Sequence, residues 1–284
     1  MNRNQVTVDP PFGTHALPAG LEKLRQIGER IPVYGVRSAI RKIIKSRQSG
    51  PYDVTLPNGI NARMNPWGNV CEKRIFCGAP YFDRPEMSFL RDRISAKQHD
   101  SFVFVDVGAN VGFYSLYVTA MAAENATGAR VLMIEPDPEN GRRLGENLAI
   151  NGLEPDRALH VPFAVSDHEG AVSFVSDGLE NRGQARIGEG TGAVTVQAKP
   201  LVDILASAGI TRIDALKIDV EGHEIPALTH FFANAPTALW PTTLIAEMVH
   251  NNDDLPRLLE RNDYVLTQRA DINAIFTRQP ATDT

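Results

Sequence analysis

The chain has 284 residues, of which 43% are hydrophobic and 22% are charged. This composition is typical of a globular protein and excludes a disordered chain, a collagen-like repeat and a disulfide-rich miniprotein. The formal net charge of −5 excludes the globally basic surface typical of nucleic-acid-binding proteins, so we expect no nucleic-acid partner.

Cysteine content and hydropathy indicate the compartment. Cys71 and Cys77 are too few for a disulfide framework and are typical of a chain that is kept reduced. No apolar run approaches the roughly 18 residues that a membrane span requires. Residues 1–5 lack the apolar stretch of a signal peptide. We therefore expect a cytoplasmic protein.

Residues 1–50 are expected to form a mobile arm followed by basic amphipathic helices. Proline and glycine are frequent in residues 1–20, which favours an irregular arm. Apolar residues recur at helical spacing in residues 21–48, and Pro32 is expected to split this segment into two helices. Lysine and arginine dominate its charges. Such a segment is more often a solvated face over a core stripe, but peripheral contact with a membrane or an acidic partner stays open.

Residues 51–98 are predicted to be a lead-in subdomain. The apolar and β-branched pattern from Tyr52 to Ile60 indicates a strand, an Asn58-Gly59 turn and the start of a second strand. A helix is predicted over 86–94.

Residues 99–284 alternate between strand and helix patterns. Strands are predicted at 101–107, 130–134, 159–165, 215–220 and 243–249, with extra β segments at 171–175 and 193–197. Helices are predicted at 113–123, 138–150, 201–208, 224–233 and 254–261, and a closing hairpin at 264–268 and 274–278. This order predicts an α/β fold with a mostly parallel sheet, one antiparallel strand and ligands at the carboxyl ends of the strands.

The turn from Asp106 to Gly112 follows the first of these strands. Gly108 permits a sharp turn and Gly112 a close approach of the backbone to a ligand. The following helix N-terminus offers free N–H groups, while Asp106 favours a ligand that carries an ammonium group. Asn110 replaces the middle glycine of the nicotinamide-binding pattern, which disfavours a dehydrogenase. A tight turn without a ligand is the alternative.

Glu135 ends the second of these strands, 23 residues beyond Gly112. An acidic residue at about this spacing can accept hydrogen bonds from both hydroxyls of a ribose. The alternative is an acid that caps the next helix. Asp137 suits that role better, because Pro138 makes a good first helical residue.

Two further groups of ionisable residues fall at the predicted ligand edge. The segment from Lys217 to Glu224 carries five ionisable side chains, which an exposed loop would explain equally well. Glu247 lies within an apolar strand, where a carboxylate is unfavourable unless it is paired or bound. A buried ion pair between Glu247 and Lys217 is the alternative to a functional role.

Together these motifs resemble the FkbM family of S-adenosylmethionine-dependent methyltransferases. The resemblance rests on residues 104–113, on Glu135-Pro136 followed by Asn147, and on residues 213–224, and it spans about residues 50–270. It implies a class I methyltransferase (Rossmann-like) fold in residues 99–284, with a seven-stranded sheet. It also implies O-methylation of a hydroxyl group on a sugar, a glycan or a secondary metabolite.

The resemblance also assigns expected roles to residues. Asp106, Gly108, Asn110 and Gly112 would hold the methionine part of S-adenosylmethionine, Glu135 the ribose, and Ser166 and Asp167 would flank the adenine. Asp219 would lie beside the reactive methyl group. Asp203 is given no role, because Leu201-Val202-Asp203 has one residue more than the Leu-Asp pair common in such sequences.

The acceptor hydroxyl is a poor nucleophile, so a general base or a metal would help. The candidates for catalysis are Asp219, His223, Glu247 and His250, of which the histidines have an ordinary pKa near neutrality. Asp219 and Glu247 together could hold Mg²⁺, although two carboxylates are weak evidence for a metal. A loop over 177–192, with Arg182 and Arg186, is a candidate acceptor lid.

Two rival functions stay open. The segment Asp9-Pro10-Pro11-Phe12 matches a motif of nucleic-acid adenine methyltransferases, although the acidic balance opposes polyphosphate binding. A cofactor-binding scaffold that docks a partner through residues 21–48 is the rival that is not an enzyme, and the acidic residues at the ligand edge speak against it.

Overall fold

The structure is a computed structural model that describes residues 8–97, 101–175, 186–187, 194–249 and 253–279. The N-terminal elements are α1 (Ala19–Glu29), α2 (Tyr34–Arg47), β1 (Tyr52–Thr55), β2 (Asn61–Met64), α3 (Val70–Ile75), a 3₁₀ turn (Ala79–Tyr81) and α4 (Arg84–Ser95). The break between α1 and α2 contains Pro32, as predicted, and β1 and β2 form the predicted antiparallel pair. The sequence did not predict α3 or the 3₁₀ turn.

The expected mobile arm is attached to β1 at residues 13–17. The carboxylate Oδ2 of Asp53 accepts the backbone N–H groups of Gly13 at 2.7 Å and His15 at 3.1 Å, and Leu17 is buried. A strand carboxylate therefore anchors this short stretch, and the mobility of the arm stays a prediction.

The larger part of the chain continues the alternation of strands and helices. Its strands are β3 (Phe102–Val107), β4 (Ala129–Ile134), β5 (Ala158–Val161), β6 (Phe163–Ser166), β7 (Gly170–Val175), β8 (Arg186–Ile187), β9 (Val194–Pro200), β10 (Ala215–Ile218), β11 (Thr243–Glu247), β12 (Tyr264–Ala270) and β13 (Asn273–Arg278). Its helices are α5 (Phe113–Glu124), α6 (Pro138–Ile150), α7 (Leu201–Ser207), α8 (Glu224–Asn234) and α9 (Asp254–Glu260).

Within the described residues, seven of these strands form the main sheet in the order β12-β13-β11-β10-β3-β4-β5. The pairs from β11 to β5 are parallel, whereas β13 is antiparallel to both of its neighbours. This arrangement confirms the predicted seven-stranded, mostly parallel sheet that ends in a hairpin.

The predicted strand over 159–165 is wrong in one respect, because the chain leaves the main sheet at Pro162. Residues before it belong to β5, and those after it form β6, which pairs with β9 in a second sheet together with β7 and β8. Proline has no N–H group to donate to a strand ladder, so it interrupts the pairing.

Both faces of the central strands of the main sheet are buried. One face, which includes Phe104 and Ile245, shares a hydrophobic cluster with α5 and with N-terminal residues such as Tyr52 and Phe76. The other face packs against α7 and α8, where Phe231 is fully buried. The three predicted segments, residues 1–50, 51–98 and 99–284, therefore contribute to one continuous core.

The α1–α2 pair has a mixed surface. On α2, Ile40 and Ile44 are buried while Val36 and Ile43 are exposed, so the helix carries apolar side chains on more than its core face. Across the described ranges, none of the helices combines the length and the apolar character needed to traverse a bilayer.

Candidate active site

A cleft opens at the carboxyl ends of β3, β4 and β10 and next to the end of β11. The chain runs from β3 outward to β4 and β5, then crosses back to β10 and β11 on the other side. The cleft therefore lies at the point where the strand order reverses, which is where open α/β sheets bind ligands. The ligand edge predicted from the sequence is the edge at which the cleft forms.

The turn between β3 and α5 is shaped by contacts within the protein. Gly108 has a φ of +76°, and a Cβ atom there would lie 1.9 Å from the carbonyl oxygen of Asp219. Gly112 has a φ of +88° and packs against Leu144 instead of lining the cleft. Asn110 also has a positive φ, of +54°, and lines the cleft. The two glycines are thus required by the backbone geometry, whether or not a ligand binds.

Asp106 is buried at the base of the cleft, opposite Lys217 on the neighbouring strand. Its Oδ2 atom accepts a hydrogen bond from the Ser115 hydroxyl at 2.8 Å. Its Oδ1 atom is buried and has no hydrogen-bond partner among the described residues. Burial raises the pKa of Asp106, against the opposing effect of Lys217. A cationic donor in the cleft would satisfy this oxygen.

Glu135 lines the cleft at the end of β4. Its Oε2 atom accepts the N–H of Asn110 at 2.7 Å, and its Oε1 atom accepts the N–H of Asp137 at 2.9 Å. Burial raises the pKa of Glu135 to about 7. Asp137 caps α6 by accepting the N–H groups of Glu139 and Asn140. The helix cap is thus Asp137, which leaves Glu135 facing the cleft.

His223 is placed with the turn after β6. Its Nε2 atom lies 3.2 Å from the hydroxyl of Ser166, which in turn donates to Asp167 at 3.1 Å. Burial lowers the pKa of His223, and its charged neighbours are Asp167, Glu224 and His168. Phe163, Ala164, Val165 and His223 line one wall of the cleft. Ser166 and Asp167 follow Val165 in the chain and lie just beyond this wall. The structure therefore groups His223 with the turn expected to flank the adenine.

Three carboxylates meet at the other side of the cleft. One oxygen from each of Asp219, Glu221 and Glu247 lies within 4.8 Å of the others. The sequence motif contained Glu221 but did not single it out. The chain reverses at Glu221 with a φ of +53°, an uncommon value for a residue other than glycine.

Lys217 is bound within this group. Its Nζ atom lies 3.0 Å from Oδ2 of Asp219, so the proposed ion pair between Lys217 and Glu247 is wrong. Burial acts to lower the pKa of Lys217, but the carboxylates of Asp219 and Asp106 outweigh it and raise this pKa. Lys217 pairs with Asp219 because β10 ends immediately before Asp219 and brings the two side chains together.

Glu247 is only 7% exposed, and its Oε2 atom has no hydrogen-bond partner within the described part of the chain. Burial, followed by the negative charges of Asp219 and Glu221, raises its pKa to about 8. A buried carboxyl group with this pKa, open to a cleft, is typical of functional sites.

One wall of the cleft comes from the N-terminal part and was not predicted. Asp83 accepts hydrogen bonds from Arg74 at 2.6 Å and from the Tyr114 hydroxyl at 2.7 Å, and all three residues line the cleft. The sequence carried no local signal for this wall, because α3 and the following turn have no strong periodicity.

Some predicted residues cannot be compared with the structure. His250, Arg182 and most of the expected lid over 177–192 lie outside the described residues, and of that loop only 186–187 is described, as β8. The Asp9–Phe12 segment is described and lies elsewhere: the carbonyl oxygen of Pro11 accepts a hydrogen bond from Arg63 at 3.2 Å. The described lining of the cleft does not include this segment, which removes structural support for the adenine-methyltransferase alternative.

Comparisons with known proteins identify a methyltransferase family. The model of the Methyltransferase FkbM domain matches residues 106–266, more than half of the chain. Hexuronic acid methyltransferase AglP of Haloferax volcanii is 25% identical over 145 residues, which are 51% of this chain and 56% of AglP. Methyltransferase sdnD of Sordaria araneosa is 29% identical over 154 residues, 44% of this chain and 58% of sdnD. The chain thus spans less than three fifths of these relatives.

Among solved structures, methyltransferase FkbM from Methylobacillus flagellatus is similar over 86% of this chain and 71% of that protein, with a TM-score of 0.43 and 16% identity.

Proposed function

The chain belongs to the FkbM methyltransferase family, and we propose that it transfers a methyl group from S-adenosylmethionine to a hydroxyl group of a sugar, a glycan or a secondary metabolite. The observation that carries this proposal is the buried Oδ1 atom of Asp106, which lacks a hydrogen-bond partner among the described residues, in a residue that lines the cleft. An ammonium group is the ligand chemistry that such an oxygen favours, and the methionine part of this cofactor carries one.

Other residues of the cleft would contact the remaining parts of the cofactor. Glu135 would accept the ribose hydroxyls, with its carboxylate already oriented by two backbone N–H groups. The apolar wall of Ala164 and Val165 would pack against the adenine. Asp219, which directly follows β10, would lie beside the sulfonium methyl group, which is where the acceptor must enter.

Methyl transfer forms a bond between the acceptor oxygen and the methyl carbon while the carbon–sulfur bond breaks, and the hydroxyl proton passes to a base. Most of the rate enhancement should come from holding the acceptor in line with the methyl–sulfur bond. Glu247 is the favoured base among the described candidates, because its raised pKa of about 8 suits proton transfer near neutral pH. His223 is less suited, since its ring contacts Ser166.

The name of one relative supports a sugar as the acceptor. The name of the relative AglP states that it methylates a hexuronic acid, a sugar with several hydroxyl groups and a carboxylate. Arg74 lines the cleft and is paired with Asp83, so it would offer its remaining guanidinium N–H groups, and no net positive charge, to such an acceptor. We therefore place sugars that carry a carboxylate first in an acceptor screen.

The cofactor is tested by calorimetric titration with S-adenosylhomocysteine. We expect binding by the wild type that weakens at least tenfold in Glu135→Ala, about 1.4 kcal/mol, because both ribose hydrogen bonds are lost. Glu139→Ala is the matched control, since Glu139 lies about one turn beyond Glu135 and its side chain is exposed. The affinity of this variant for S-adenosylhomocysteine should be unchanged. A well-folded wild type that does not bind would remove the methyltransferase chemistry proposed for this cleft and reopen the scaffold alternative.

The acceptor atom is tested by incubating the enzyme with S-adenosylmethionine and a panel of sugars, uronic acids, amines and oligonucleotides, followed by mass spectrometry. A product methylated on oxygen is expected. A product methylated on nitrogen would overturn the hydroxyl assignment while leaving the cofactor assignment intact.

A further inference from the structure

We propose that Asp219, Glu221 and Glu247 form a binding site for one divalent cation at the acceptor side of the cleft. The three side chains come from the end of β10, the turn after it and the end of β11. Each offers a carboxylate oxygen within 4.8 Å of the other two. Oxygen atoms at most 4.8 Å apart need only small side-chain movements to contact one central ion at the distances of about 2.0–2.6 Å that Mg²⁺ and Ca²⁺ require.

The burial of Glu247 is the independent observation that points to a cation. Its side chain is more than nine-tenths buried, and its Oε2 atom has no hydrogen-bond partner in the described ranges. A buried carboxylate is unfavourable unless it is paired or coordinates a metal. Lys217 forms no ion pair with Glu247 among the described residues, because its Nζ atom contacts Asp219 at 3.0 Å.

The local charges favour a divalent ion. Asp219, Glu221 and Glu247 bring three carboxyl groups together, and the nearby Lys217 is shared with Asp106. A cation of charge +2 would offset two of the negative charges that these groups carry when ionised. Ligands that are all carboxylate oxygens select Mg²⁺, Mn²⁺ or Ca²⁺ over zinc or copper, which prefer nitrogen and sulfur.

The consequence for substrate choice rests on the proposed function. Three protein ligands leave positions open for water or for acceptor oxygens, since these ions take six or more ligands. An acceptor with two neighbouring oxygen atoms, such as a vicinal diol or a hydroxy acid, could occupy two of these positions. With the cation bound, Glu247 would be a ligand and would no longer serve as the base. The cation would lower the pKa of the bound hydroxyl, whose proton would pass to water, and would fix the hydroxyl beside the methyl group.

The site is tested by the binding of Mn²⁺ alone, measured from the electron paramagnetic resonance signal of the free ion. The wild type should bind one Mn²⁺ per chain, and Mg²⁺ should compete. Glu221→Gln should weaken Mn²⁺ binding at least tenfold. Asp254→Asn, an exposed acid at the start of α9, should bind as the wild type does. No saturable binding, or equal binding by Glu221→Gln and the wild type, would overturn the inference.

S-adenosylhomocysteine binding separates this inference from the proposed function. Glu221→Gln should retain wild-type affinity for S-adenosylhomocysteine, which also shows that the variant is folded. If Glu221→Gln does not fold, Glu221→Ala and Glu247→Gln provide the same comparison. Mn²⁺ binding without S-adenosylhomocysteine binding would support the cation site and contradict the proposed function. The opposite result would overturn the cation site alone.

Discussion

Hydrogen bonding and burial act in opposite directions on the pKa of Glu135. Its carboxyl oxygens accept the N–H groups of Asn110 and Asp137, interactions that favour the ionised form. Burial disfavours that form more strongly and raises the pKa to about 7. A carboxyl group in this position is fixed in orientation while it is poised to ionise near neutral pH, which suits a side chain that accepts hydrogen bonds from a ligand.

This pKa shift predicts how stability depends on pH. In the unfolded chain Glu135 releases its proton near its ordinary pKa of about 4.5, whereas the folded protein retains it up to about 7. Between these values the unfolded state binds fewer protons, so the free energy of unfolding falls as pH rises, by up to about 3 kcal/mol from this group. Urea unfolding at pH 5, 6, 7 and 8 should show a smaller fall in Glu135→Gln. Parallel profiles for variant and wild type would contradict the shift.

At the scale of single elements, the turn between β3 and α5 shows why residue 108 must be a glycine. Gly108 needs a positive φ, and it also lies so close to the carbonyl of Asp219 that no side chain fits. The turn and the end of β10 are therefore packed directly on each other. Any displacement at Gly108 would move Asp219 and with it the carboxylates of the cleft.

Two glycine substitutions separate these effects. Gly59, in the turn between β1 and β2, also has a positive φ, of +80°, but has open space around it. Gly59→Ala should cost about 1–2 kcal/mol of unfolding free energy for the left-handed backbone alone. Gly108→Ala should cost about 1–3 kcal/mol more, because the added methyl group overlaps the Asp219 backbone. Equal costs in urea unfolding would show that the turn moves freely.

For the whole molecule, polar contacts as well as the shared core join the N-terminal part to the main sheet. Glu72 forms a buried ion pair with Arg143 on α6. Glu86 accepts a hydrogen bond from Asn273 of the closing hairpin at 2.6 Å. Because the N-terminal part also supplies one wall of the cleft, we infer that it is needed both for stability and for the site.

The two tryptophans of the chain test whether both parts unfold together. Trp67 follows β2, and Trp240 packs against Phe232 on the far face of the sheet. Trp67→Phe and Trp240→Phe each leave one fluorescent reporter, and the two urea transitions should coincide, as expected for one cooperative unit. An earlier transition reported by Trp67 would show that residues 51–98 form a separate subdomain.

Local patterns in the sequence were sufficient to predict several of the elements and motifs. The alternation of buried strands and helices predicted the main sheet, because side-chain periodicity reflects which face is buried. Asp137 before Pro138 predicted the start of α6. The turns after β3, β4 and β10 were recognised as the ligand edge, since parallel strands end at the same side of a sheet. Pro162 was a local signal for the break between β5 and β6, and the prediction overlooked it.

The contacts between side chains of the cleft depend on how the chain folds in three dimensions. Lys217 pairs with Asp219 and not with Glu247, His223 contacts Ser166, and Glu221 joins the other carboxylates. These partners come from different strands or from a chain reversal, and their approach depends on register and backbone direction, which no local pattern encodes. The wall of the cleft built from Arg74 and Asp83 has the same origin. Short segments with weak periodicity take their position from the surface against which they pack.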